Sequence, residues 1–116
     1  MSFDELSQEN TLIEIVKSVG NLKIEIWTSD FQHALDGHPE VTLEKNKTAL
    51  KDPFKVIESK KSSRVCLFYS IPIVDATFGQ IYFAVVVGVT GAGKGKLETA
   101  YETTFIKSGT VLWSKE

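Results

Sequence analysis

One run of seven apolar residues limits the fold of this chain more than any other feature. Residues Ile81–Val87 are almost continuously apolar and mostly β-branched or aromatic, a composition typical of a β-strand. The run is far shorter than the roughly 20 residues that cross a membrane as a helix. Because strand side chains point alternately to the two faces of a sheet, we expect Ile81–Val87 to form a central strand covered on both faces.

The length and composition predict a single globular domain over residues 1–116, with residues 1–20 as a peripheral N-terminal segment. The hydrophobic fraction of 42% argues against a disordered chain. The single cysteine, Cys66, excludes an internal disulfide framework, which fits a reducing compartment. Residues 1–10 are acidic and polar, unlike a secretory signal. We therefore expect a cytoplasmic protein without membrane contact.

The N-terminal half contains one clear strand and one helical stretch. Leu22–Trp27 alternates apolar and charged side chains, which predicts a strand with one wet face. Residues 3–18 have no sharp periodicity and are either a helix or a strand. A helix is predicted to begin near Pro39, whose missing N–H is unneeded in a first turn, and to end at Asp52-Pro53.

The C-terminal half is predicted to be an antiparallel sheet. Apolar and β-branched runs indicate strands over residues 54–58, 64–69, 80–88, 96–105 and 109–113. Turn-forming residues separate these runs, and short connections favour antiparallel neighbours. The fold class is therefore α+β, with the helix before residue 52 covering the sheet.

A glycine-rich stretch, Gly88–Gly95, follows the apolar run and resembles a phosphate-binding loop up to its last position. That loop needs a Ser or Thr after its lysine to hold Mg²⁺, but Gly95 occupies this position. The loop must also open a helix, whereas residues 96–105 read as a strand. We therefore interpret Gly88–Gly95 as a hairpin between two long strands.

Two histidines lie in the connection before the predicted helix. The imidazole of His38, next to Pro39, is the natural proton donor or acceptor of this chain near neutral pH. His33 and nearby acids raise the alternative of a metal site. No His-x-x-x-His helix spacing is present, so no metal is expected.

Cations and hydroxyls form two further groups of candidates. Arg64, the only arginine, ends a basic connection with Lys60 and Lys61, and its planar fork suits a phosphate. An alternative is an ion pair with Glu58. Strand alternation places a hydroxyl stripe, Thr99, Tyr101 and Thr103, on one face, near Lys107, and places Glu98, Ala100, Glu102 and Thr104 on the other face.

Three blocks of the sequence carry a resemblance to a known family. The blocks are His38-Pro39-Glu40-Val41, then Lys51–Ser59, and finally Thr99–Thr103 followed by Lys107-Ser108-Gly109. Together they resemble the phage- and plasmid-associated members of the barnase/EndoU/colicin/RelE-like nuclease superfamily. The resemblance covers roughly residues 25–113.

The resemblance implies a fold, a reaction and a set of site residues. The fold would be an N-terminal strand and helix packed on a four- to five-stranded antiparallel sheet. The reaction would be RNA cleavage without a metal or cofactor, through attack by the 2′-hydroxyl group.

By position, the resemblance implies that His38 would be the acid or base, Arg64 the phosphate clamp, and Tyr101 and Thr103 hydroxyl donors. Substrate would be bound by Lys60, Lys61, Thr99 and Lys107. A toxin of this kind would have an antitoxin as its protein partner.

The charge of the chain is unusual for such a nuclease. The net charge of −2 and the pI of about 5.7 provide no overall positive field for nucleic acid. RNA binding would have to rely on local cations, mainly Lys60, Lys61 and Arg64. The alternative function is a non-enzymatic interaction domain that keeps the fold and has lost catalysis.

Overall fold

The structure, a computed structural model, describes residues 10–115. The part of the predicted N-terminal segment before residue 10 lies outside the described residues. The elements in chain order are β1 (Leu12–Lys17), β2 (Lys23–Trp27), α1 (Thr28–Gly37), α2 (Leu43–Lys51), β3 (Pro53–Ser59), β4 (Val65–Ser70), β5 (Ile73–Asp75), β6 (Gly79–Gly91), β7 (Lys94–Thr103) and β8 (Gly109–Ser114).

The strands form one mixed sheet in the order β1-β2-β7-β6-β4-β3-β8, and β5 pairs with the start of β6. All pairs are antiparallel except β2 with β7, which run parallel over Lys23–Glu25 and Lys94–Lys96. The predicted four- to five-stranded antiparallel sheet is therefore wrong, since residues 10–115 contain eight strands and a parallel pair.

The physical reason for this error lies at the outer edge of β7. The first residues of β7 would leave backbone N–H and C=O groups unpaired at a sheet edge. β2 supplies their partners, and β1 then pairs with β2. The N-terminal strand therefore joins the sheet as an ordinary member rather than packing on its surface.

Most predicted strand positions agree with the structure. The alternating segment is β2, the segment left open between helix and strand contains β1, and the apolar run lies in β6, the middle strand of the seven-strand path. The stretch from Gly88 to Gly95 is the predicted hairpin, in which Gly93 adopts the left-handed φ of 67°. The short strand β5 lies within a region that we predicted as a turn.

The helices differ more from the sequence-based predictions. α1 was not predicted, because its N-terminus has no cap of its own. Instead, the side-chain oxygen of Asn10 accepts hydrogen bonds from the Ser29 backbone N–H (3.0 Å) and the Thr28 hydroxyl (3.2 Å). α2 begins at Leu43 rather than near Pro39, because the Thr42 hydroxyl accepts the Lys45 N–H at 3.1 Å and caps the helix there.

The main core lies between the helices and one face of the sheet. β6 contributes Phe83, Val85 and Val87 to this core, and α2 contributes Ala49 and Leu50. All five side chains are at most 6% exposed. Burial of this apolar layer is the main favourable term in folding.

A second, smaller cluster lies on the opposite face of the sheet and is covered by the chain itself. Its buried residues are Ile57, Leu67, Tyr69 and Ala84. The cover is the connection between β7 and β8, residues 104–108, which we call the crossing segment. Ile106 packs on the cluster, and the Lys107 N–H donates to the Tyr69 hydroxyl at 3.1 Å. Both faces of β6 are therefore covered, as predicted.

We predict that Tyr69→Phe lowers the free energy of unfolding by about 1–2 kcal/mol, because the N–H of Lys107 loses its acceptor, the Tyr69 hydroxyl, at a partly buried site. Urea denaturation measures this difference. Tyr82→Phe is the matched control, since its hydroxyl donates only to the exposed Gln80 side chain. The control should change stability by less than about 0.5 kcal/mol. Equal losses in the two variants would contradict the anchoring role of Tyr69.

Candidate functional site

A groove of about 720 Å³ lies on the sheet face opposite the helices, beside the crossing segment. Its floor is a row of side chains from neighbouring strands, Leu67, Val86 and Thr99, which the strand register places side by side. The complete lining is Ser59, Lys60, Lys61, Val65, Leu67, Val86, Thr99, Tyr101, Phe105, Ile106, Lys107 and Ser108. The groove therefore combines an apolar floor with a polar rim.

Five of the eight predicted site residues line this groove. They are Lys60, Lys61, Thr99, Tyr101 and Lys107. They come from three separate parts of the chain: the β3–β4 connection, β7 and the crossing segment. The fold thus brings most of the predicted site together, although these residues are up to 47 positions apart in the sequence.

His38 lies against the Tyr101 ring, with ring centroids 5.7 Å apart. The loop that carries His38 can reach this position because β2 separates from β7 after Lys96, and no strand among residues 10–115 pairs with the rest of that edge. The carboxylate of Glu40 accepts the Glu102 N–H of β7 at 3.1 Å. The same carboxylate oxygen lies 3.6 Å from Nδ1 of His38. Glu40 therefore holds the imidazole beside the edge of β7.

Burial and hydrogen bonding shift the pKa of two groups at this edge. Burial raises the pKa of Tyr101, so its hydroxyl keeps its proton at neutral pH and acts as a hydrogen-bond donor. Burial also acts to raise the pKa of Glu40, but hydrogen bonds from the backbone N–H groups of Glu40 and Glu102, together with the nearby His38 and Lys45, outweigh it, and the net shift is downward. A neutral donor, Tyr101, and a charged acceptor, Glu40, thus both lie next to His38.

The groove is a local positive site in an acidic protein. Its lining contains three lysines and no carboxylate. Within residues 10–115, Lys60, Lys61 and Lys107 have no carboxylate within 4.0 Å, whereas Lys45, Lys47 and Lys96 pair with acids elsewhere. Unpaired lysines around a partly enclosed groove attract anions despite the net charge of −2.

Three predicted site residues lie outside the groove lining, namely His38 at the edge of β7, Arg64 and Thr103. The Arg64 carbonyl accepts the Val89 N–H, whereas Tyr101 pairs with Ala84. These positions on β6 are five residues apart, which corresponds to about 17 Å along a strand. Thr103 is engaged locally, because its hydroxyl donates to the Phe105 carbonyl at 3.2 Å. The structure therefore brings His38 to Tyr101 but places Arg64 at the other end of β6.

We predicted that Glu98 lies on the sheet face opposite Thr99. This prediction is wrong because β7 contains a bulge. Val86 pairs with Thr99 and Val87 with Leu97, which leaves Glu98 as an extra residue. A Cβ atom on Gly88 would collide with the Glu98 carboxylate. Gly88 pairs with Val65, which lines the groove, so Glu98 lies on the groove face near one end. A glycine inside a strand is the one sequence signal for such a close approach.

Phe105 is a second groove residue that our sequence analysis missed. It lies in the crossing segment, and we predicted it as the last residue of a strand. A strand extended to residue 105 gives no reason to expect Phe105 in the same groove as Lys60 and Lys61. Only the path of residues 104–108 across the sheet shows this proximity.

Residues 10–115 contain no group of three or more His, Cys, Asp or Glu side chains that could hold a metal ion. Neither described helix is long and apolar enough to cross a membrane. No protein-family model, curated protein or solved structure matches the chain. The nuclease resemblance therefore stays a prediction, and a functional proposal has to rest on the groove.

We predict that the contact of Glu40 stabilises the protein only while its carboxylate is charged. Its pKa in the folded protein lies below the ordinary value of 4.5, so the stabilisation is present above that pH and is lost as the pH falls through the folded pKa. Glu40→Gln should therefore be less stable than the wild type at pH 7, by about 0.5 kcal/mol for a partly solvated pair, and this difference should shrink as the pH falls towards the folded pKa of Glu40 and below it. Thermal unfolding between pH 3 and 7 measures the difference. A difference that does not depend on pH would contradict this role.

Proposed function

We propose that the protein is an endoribonuclease that binds RNA in the groove and cleaves it without a metal ion, through attack by the 2′-hydroxyl group. The observation that supports this proposal is the grouping of Lys60, Lys61 and Lys107 around a groove that includes Tyr101, with His38 against the Tyr101 ring. Cations for a phosphodiester and one group able to transfer protons are thus close together.

The proposed reaction breaks one bond to phosphorus and forms another. The 2′-oxygen of a ribose attacks the adjacent phosphorus, a 2′-O–P bond forms, and the P–O5′ bond breaks. A base takes the proton of the 2′-hydroxyl, and an acid gives a proton to the departing 5′-oxygen. The products are a 2′,3′-cyclic phosphate and a 5′-hydroxyl end.

The side chains have distinct roles in this proposal. His38 transfers a proton as acid or base, and the position of Glu40 beside Nδ1 orients the ring. The Tyr101 hydroxyl donates a hydrogen bond to the phosphate as its charge grows. Lys107, whose backbone is fixed at Tyr69, and Lys60 and Lys61 balance the phosphate charge. Arg64 would contact another phosphate, farther along the bound RNA strand.

A non-enzymatic interaction domain is the second candidate function. It is favoured by the position of Arg64 far from Tyr101 and by a groove lining that contains no histidine. In this case the groove would bind RNA or a protein partner such as an antitoxin without chemistry.

In both cases we propose the cytoplasm as the location, where RNA is present and the buried thiol of Cys66 would remain reduced.

We predict that His38→Ala lowers the rate of RNA cleavage at saturating substrate by about 10²- to 10⁴-fold, the usual contribution of a general acid or base. The measurement is single-turnover cleavage of a 5′-labelled RNA, with the 2′,3′-cyclic phosphate identified by its mobility. Replacing the 2′-hydroxyl at the cleaved position by hydrogen should abolish cleavage by the wild type.

His33→Ala is the matched control for this experiment, since His33 is exposed on α1 and should leave the rate unchanged. If both histidine variants cleave as fast as the wild type, His38 is not catalytic. If the wild type binds RNA and cleaves none, the interaction domain replaces the nuclease as the assignment.

The groove lysines should also determine the salt dependence of RNA binding. We predict that the double variant Lys60→Gln with Lys61→Gln reduces the slope of log K against log salt by about 1 to 1.5, because each lost phosphate contact on a single strand removes roughly 0.7. The control is Lys17→Gln with Lys23→Gln. This double variant removes two exposed lysines that lie opposite each other in the β1–β2 register. Equal changes in the two double variants would contradict binding in the groove.

A further inference from the structure

An exposed aromatic ring stands at the edge of the groove. Phe105 is 61% exposed, although its neighbour Ile106 packs on the second cluster and both residues line the groove. An exposed phenyl ring contributes little to folding, because its apolar surface stays in water. The packing of the protein therefore does not account for this ring.

The backbone on both sides of the ring is held in place. On the N-terminal side, the Phe105 N–H donates to the Thr103 hydroxyl at 3.4 Å, and this hydroxyl donates to the Phe105 carbonyl at 3.2 Å. On the other side, the Lys107 N–H donates to the buried Tyr69 hydroxyl at 3.1 Å. The ring is thus presented from a fixed backbone, which lowers the entropy lost when a ligand packs against it.

The surroundings of Phe105 fit one class of ligand. Lys60, Lys61 and Lys107 line the same groove, and the lining contains no acid. A basic groove with an exposed aromatic ring is the arrangement with which proteins bind single-stranded nucleic acid, since the cations follow the phosphates and the ring stacks on a base. A paired base in a duplex is stacked on its neighbours and has no free face to offer.

We propose that Phe105 is a base-stacking subsite and that the groove therefore selects single-stranded over double-stranded RNA. This inference rests on the proposed function, of which it names the substrate class. The stacked base lies on the Phe105 ring, and the adjacent phosphates face Lys60, Lys61 and Lys107. Glu98 limits the phosphate path at the far end, because its carboxylate repels a phosphate near Gly88.

The test uses ligands that the protein cannot cleave, so that binding is measured apart from catalysis. The ligands are a 2′-O-methyl RNA strand of about ten nucleotides, carrying one 2-aminopurine, and the same strand annealed to its complement. Fluorescence anisotropy gives Kd, and quenching of the 2-aminopurine reports stacking. The proteins are the full chain with its wild-type sequence, Phe105→Leu, Phe105→Tyr and Phe78→Leu.

Phe78→Leu is the matched control. Phe78 is 66% exposed and also lies in a turn, where its N–H donates to the Asp75 carboxylate at 2.9 Å, but it does not line the groove. We expect Phe105→Leu to weaken single-strand binding by about tenfold and to remove the quenching. Phe105→Tyr, which keeps a ring, and Phe78→Leu should stay within about twofold of the wild type. The duplex should bind the wild type at least about tenfold more weakly than the single strand.

Each other outcome overturns the inference. Equal effects of Phe105→Leu and Phe78→Leu, loss of binding in Phe105→Tyr, equal affinity for duplex and single strand, or no binding of either strand would each contradict it. The proposed function fails separately: cleavage of RNA without dependence on Phe105 retains the nuclease and removes the subsite. Ring-dependent binding without cleavage of unmodified RNA retains the subsite and removes the nuclease.

Discussion

The short connection between β7 and β8 is the constraint on which the rest of the groove face depends. Thr103 and Gly109 are six residues apart, so the chain between them spans at most about 22 Å. The strands that they belong to are separated by three others, and the registers offset them by six residues along the sheet. In a flat sheet the two ends would be about 27 Å apart. The twist and coil of the sheet therefore have to bring the two ends closer together than they would be in a flat sheet.

The path of the crossing segment explains why a small acidic protein has a defined groove on this face. Ile106 of this segment packs on the second cluster, and the Lys107 N–H donates to the Tyr69 hydroxyl. Phe105 and Lys107 lie at the rim of the groove. The other face is filled by two helices, whose lysines are largely paired with acids. The groove face, where we propose that RNA binds, carries Lys60, Lys61 and Lys107 and has no carboxylate in its lining.

The features that could be predicted from the sequence are those encoded over a few neighbouring residues. The apolar run of β6, the alternation of β2 and the glycine hairpin all have a local cause. The parallel pairing of β2 with β7 does not, since it joins residues 71 positions apart. The cap of α1 is supplied by Asn10 from outside the helix, and the bulge at Glu98 changes the facing of one residue within an otherwise regular strand. Five residues of the candidate site, its three lysines, Thr99 and Tyr101, were predicted from the sequence. Their arrangement around the groove was not, because it depends on the path of the crossing segment.

The measurement that tests the central claim most directly is a titration of the ¹⁵N-labelled protein with an uncleavable single-stranded RNA, followed by amide chemical shifts. The account predicts saturable shifts that are concentrated in three stretches, residues 59–61, 99–101 and 105–108, all of which contribute to the groove. Shifts confined to α1 and α2, or no saturable shifts at all, would contradict it.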